Sequence, residues 1–146
     1  MGIAVEVTEA VTAKLNETTF GTAVVTRQLN PQVIRKGLTP QIIVALQGKT
    51  SVEQDRSNEW LQYSIGIGLS YPINSVADLD LGLNMCEDIQ DWMSLKSNRI
   101  ITMPSGSICL VPPFTMESPF DPTQVDEANV MFSITNFNYR FFKNRT

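Results

Sequence analysis

Trp60-Leu61-Gln62-Tyr63-Ser64-Ile65-Gly66-Ile67-Gly68-Leu69-Ser70-Tyr71 decides the fold. Leu61, Tyr63, Ile65, Ile67, Leu69 and Tyr71 recur at every second position, so one face of a β-strand is large and apolar. The other face carries Gln62, Ser64, Gly66, Gly68 and Ser70, which are polar or very small. A large face packs a core. Glycine inside a strand weakens it unless another backbone needs to come close. Gly66 and Gly68 therefore mark either a contact surface or a solvated face that tolerates glycine.

Downstream, Pro72 ends the strand and Ser75 is placed to cap a helix, with Asp78 three residues on. Val76, Leu79, Leu83, Cys86, Ile89 (or Gln90) and Met93 follow at helical spacing to about Leu95. Asp78, Asp80, Glu87, Asp88 and Asp91 fall among them, with no base before Lys96. This predicts an amphipathic, strongly acidic helix.

Upstream, Gln41-Ile42-Ile43-Val44-Ala45-Leu46 is a nearly continuous apolar run and reads as a strand covered on both faces. Gly48 to Glu59, with Lys49, Asp55 and Arg56, then reads as a polar loop, too long for a tight hairpin turn. Such a loop is either mobile or docked on a partner. Earlier still, Val7, Val11 and Leu15 recur every four residues and predict a helix over 5–15. Ala23 to Leu29 is β-branched and stops at Asn30-Pro31.

Five of the 8 prolines lie between Met103 and Glu127, around the short island Ser107-Ile108-Cys109-Leu110-Val111. They predict an irregular arm with at most short edge strands. Its Phe114, Met116 and Phe120 need something to cover them. Ala128 to Phe142 closes the chain as a long strand. Val130, Phe132 and Ile134 alternate on one face, then Phe137, Tyr139 and Phe141 on the other, as a bulge or strong twist would produce. The predicted architecture is α+β: a single domain over 1–146, with a mostly antiparallel β-sheet and two main α-helices packed on one face. Consecutive strands are expected to pair antiparallel.

Composition removes much chemistry. The chain has 0 His, which leaves no Ser-His-Asp or Cys-His nucleophile system and no His-ligated metal. Cys86 and Cys109 form no C-x-x-C pair and read as small buried hydrophobes. A net charge of −4 does not suit a generally basic nucleic-acid binder. Gly66-Ile67-Gly68 lies inside a strand and opens no helix, so it is not a phosphate loop. Asp78, Asp80, Glu87 and Asp88 include pairs on different helix faces, unsuited to converging on one cation. The N-terminus has no basic segment and no signal-peptide pattern, and no apolar run reaches the ~20 residues of a membrane span. No catalytic residue, cofactor or metal site is predicted.

The order of elements resembles the tail-terminator (tail-completion, or neck) proteins of long-tailed bacteriophages. The residues carrying the resemblance are Val7, Val11 and Leu15, the entry Leu38-Thr39-Pro40-Gln41-Ile42-Ile43-Val44, and Arg56 ahead of Trp60 to Ile67. With them go the acidic helix from Ser75 to Leu95, and Pro119-Phe120-Asp121-Pro122 followed by Val130 to Thr135. The resemblance is one of element order and hydrophobicity over nearly the whole chain.

It implies a virion structural protein without enzymatic activity, in a homo-oligomeric ring of six subunits at the head-proximal end of the tail. Its implied partners are the tail-tube protein and the head-side connector or stopper, with genome DNA passing through the lumen unbound. No cofactor and no membrane are implied. The candidate interface residues are Lys49, Arg56, Gly66, Gly68, Phe114, Phe120, Arg140, Lys143 and Arg145. A head-completion or tail-tube subunit is the rival within that class. A monomeric adaptor with an apolar pocket, and an enzyme using only carboxylates such as Glu53, Asp55 or Glu59, are the rivals outside it.

Overall fold

A computed structural model describes residues 2–27, 40–53, 58–118 and 130–144. Its elements in chain order are α1 (Ile3–Leu15), β1 (Val24–Arg27), β2 (Gln41–Glu53), β3 (Asn58–Pro72), α2 (Val76–Ser94), β4 (Ile100–Met103), β5 (Gly106–Ser118) and β6 (Val130–Asn144). The six strands form one sheet in the order β1-β2-β3-β6-β5-β4. The fold is α+β, with a mostly antiparallel curled sheet. Among the described residues no helix is long and apolar enough to cross a membrane.

The period-two reading of β3 sets the core. Leu61, Tyr63, Ile65, Ile67 and Leu69 are all buried. They meet Val7, Val11 and Leu15 of α1 and Cys86, Ile89 and Met93 of α2 in one apolar cluster. Glu6 in the first turn of α1 and Lys14 in its last complement the helix dipole. In α2, Ser75 Oγ accepts from the Asp78 N–H at 3.3 Å, and Asp78 Oδ2 accepts from the Asn74 N–H at 2.9 Å.

The stripe along α2 differs from its prediction. Its buried residues are Gly82, Cys86, Ile89 and Met93, whereas Val76 and Leu83 face out. Gly82 explains the rotation. A Cβ there would stand 3.0 Å from Met131 Cε and 3.2 Å from Tyr71 Cγ, so the helix lies against β3 and β6 through its smallest residue.

Three expectations are corrected by the strand pairing. First, β1 runs parallel to β2, not antiparallel. Second, the predicted loop Gly48–Glu59 is largely a hairpin: β2 and β3 stay paired out to Glu53 opposite Glu59, past a register shift between Leu46 and Gly48. Third, the Pro-rich stretch is a strand over Gly106–Ser118, with its register to β6 broken between Val111 and Thr115. Pro112 and Pro113 sit in that break, where their missing N–H groups cost no ladder bond. The remainder of the arm, 119–129, lies outside the described residues. The change of phase along β6 falls where β5 is irregular against it: the register to β5 shifts between Val111 and Thr115 and between Met116 and Ser118, opposite Ile134 to Asn138, while pairing to β3 runs without interruption from Val130 to Asn144. Both faces of β6 are buried, and the large residues simply move from one to the other.

Tyr139 lies on the helix-covered face of β6 and its hydroxyl has no hydrogen-bond partner among the described residues. Burial pushes its phenol far above the ordinary value, and burial raises that of Tyr63 as well. A phenol raised in the folded state contributes stability below the unfolded value of about 10 and loses it as pH climbs past that value. The expected loss is up to about 1.4 kcal/mol per pH unit per group. Tyr139→Phe is expected to match or exceed the parent at pH 8, by up to about 1 kcal/mol, because an unpaired hydroxyl is removed. It is also expected to soften the decline above pH 10 in urea titrations. A decline as steep as the parent's would place its source elsewhere.

Candidate functional site

The C-terminal ends of the two helices converge. Trp92 on α2 donates its indole N–H at 3.0 Å to the Lys14 carbonyl in the last turn of α1, which also accepts from the Glu17 N–H. The end of α2 is closed in turn by Asn98 Nδ2 donating to the Trp92 carbonyl at 2.8 Å and Arg99 Nε donating to the Ser94 carbonyl at 2.7 Å. Between these ends lies a groove of about 300 Å³, walled by Thr18–Phe20 on one side and by Asp88, Asp91, Trp92 and Leu95 on the other.

Phe20 is buried, Trp92 is half-buried, and Leu95 remains 47% exposed. Asp88 and Asp91 are exposed, and neither makes an ion pair among the described residues. Lys14 is occupied by Glu17 at 3.0 Å. Apolar walls with carboxylates at the rim suit a cation carried on an aliphatic stem.

A second surface runs along α2. Val76 is 76% exposed, Leu81 53% and Leu83 38%, with Asp80, Glu87 and Asp88 beside them. Ile100, at the start of β4, is 61% exposed.

The predicted interface residues do not gather in one place. Lys49 is exposed on β2, with its ammonium 5.8 Å from the centre of the Tyr63 ring. Gly66 and Gly68 are buried inside the subunit. The close approach that Gly66 permits comes from the chain itself: a Cβ there would stand 2.6 Å from Gln47 Nε2. Arg140 on β6 donates its Nε to Gln62 Oε1 at 3.1 Å. Phe114 belongs to β5, and Lys143 to β6 at the register position opposite Glu59. Arg56, Phe120 and Arg145 lie outside the described residues.

The cysteines also part company. Cys86 is buried and its thiol is pushed up by burial, whereas Cys109 is exposed, contrary to the reading of both as core residues. Sequence reasoning missed the groove. Its walls come from segments some seventy residues apart, and the only local hint was a tryptophan beside the end of the α2 stripe.

No protein-family model matches the chain, and no curated protein matches its sequence.

Proposed function

We propose that this protein is a virion structural subunit that forms a ring, of six copies, at the head-proximal end of a phage tail. There it stops growth of the tail tube and offers a surface to the head-side connector or stopper. The observation supporting this reading is the outer surface of α2. A helix of 19 residues that buries four and exposes Val76, Leu81 and Leu83 is an unfinished interface on a lone subunit. A closed ring would finish it, because in a heterologous assembly each subunit presents one patch and receives another.

The reading has no place for catalysis, a cofactor or a membrane.

Light scattering and particle images of the purified protein test it, with and without polymerising tail tubes. A mass six times the subunit, annular particles and tubes halted at uniform length are the expected results. A protein that stays at subunit mass at every concentration and leaves tube length unchanged would falsify it.

A further inference from the structure

We propose that the groove between the ends of α1 and α2 receives Lys143 and Arg145, at and just past the end of β6, from a second copy of this chain. The proposal rests on the ring reading in one respect only: it requires a second copy.

Charge complementarity selects the occupant. Asp88 and Asp91 stand exposed at the groove rim without ion pairs among the described residues. The sequence has no acid after Glu127 and carries Arg140, Lys143 and Arg145 at its basic end. The walls suit such an occupant as well. Phe20, Trp92 and Leu95 offer apolar surface along which the stem of a lysine or arginine can lie while its head meets a carboxylate. An indole beside a cation adds attraction of its own.

Placement within the subunit indicates that the occupant comes from a neighbour. The end of β6 lies by the β4–β5 turn, where a Cβ on Gly106 would stand 2.7 Å from the Phe141 ring. Ser105 in that turn is hydrogen-bonded to Glu6, in the first turn of α1. The groove sits past the opposite end of α1, after Leu15. Thirteen helical residues span about 20 Å, so groove and basic end are separated by the length of α1. Two different patches at opposite ends of one subunit make a head-to-tail contact, the type that closes into a ring when the rotation between neighbours allows it.

Charge exchange provides the test. In full-length protein, Asp88→Lys with Asp91→Lys, and separately Lys143→Glu with Arg145→Glu, are each expected to shift the oligomer to subunit mass while leaving circular dichroism unchanged. Combining all four substitutions in one chain is expected to restore the oligomer.

A peptide of residues 140–146 supplies a second readout, added to Trp60→Phe protein so that Trp92 alone reports. Its binding is expected to weaken about tenfold or more in the Asp88→Lys, Asp91→Lys variant, and to fall with added salt. Oligomers unaffected by the aspartate reversals overturn the groove and leave the ring standing. A four-fold variant that stays dissociated overturns the pairing of these two patches. Should the parent itself run at subunit mass, the ring reading falls. The groove is then judged by the peptide: a response lost on aspartate reversal supports it, and no response overturns it.

Discussion

Phe137→Ala is expected to destabilise the subunit by about 3–5 kcal/mol, the range for removing a buried aromatic ring from a core. Phe137 is fully buried on β6, opposite Ile65 of β3, and Tyr63 and Tyr139 on the same face are equally closed off. Two costs combine. The ring loses its transfer from water, and a void remains where neighbours cannot move in. Collapse is resisted here because β6 is an inner strand, paired to β3 along its whole described length and to β5 on its other side. Against a total stability of about 5–15 kcal/mol, the loss takes a third or more. Urea titration should show a much lower midpoint with an unchanged slope, while Phe137→Leu should cost no more than about 1.5 kcal/mol. A loss under about 1 kcal/mol for the alanine variant would mean that the layer between sheet and helices is not closed at this point.

The same inner strands show what can be read from residues alone. β3 was legible because a period of two with one large face has a single structural solution, and Ser75 announced α2 through a capping need that any helix start has. The outer half of the β2–β3 hairpin was not legible. Gln47-Gly48-Lys49-Thr50-Ser51 has the composition of a loop, and the strand there is held by pairing to β3 rather than by its own propensity. Parallel pairing of β1 leaves no local trace, since it depends on where the chain goes between 28 and 39. Pro112 and Pro113 argued against a long strand, and the sheet tolerates them by breaking its register at that point.

On α2, counting apolar residues favoured Leu83. The structure instead turns Gly82 inward, where Met131 and Tyr71 come so near that a Cβ would stand 3.0 Å from one and 3.2 Å from the other. A stripe drawn from apolar residues treats glycine as blank, although close approach is what glycine allows. The candidate site was the least legible part of all. Basic residues could be named from composition, but the groove they are proposed to enter exists only once Trp92 has found the end of α1.

Glu6→Ala is expected to cost about 1.5–3 kcal/mol, the range for hydrogen bonding to a charged group, because both bonds that its carboxylate accepts are lost. Glu6 is 4% exposed, and its carboxylate accepts from the Ser105 N–H at 2.9 Å and from Ser105 Oγ at 2.6 Å. The bond joins residues 99 apart in sequence and ties the first turn of α1 to the β4–β5 turn. That turn has little freedom to find another arrangement. Gly106 holds a φ of +147°, and any side chain there would strike the Phe141 ring. Glu6 therefore fixes the end of α1 that sets the distance between the groove and the end of β6. Ser105→Ala alone is expected to cost about 1–2 kcal/mol, since the backbone N–H can still donate. The double variant should cost less than the two singles together, by about 1–2 kcal/mol in a double-mutant cycle. Glu6→Gln keeps the shape but loses the charge, and is expected to fall between the parent and alanine. If the effects of Glu6→Ala and Ser105→Ala simply add, the two residues do not act through this bond, and the placement of α1 must rest on its apolar stripe alone.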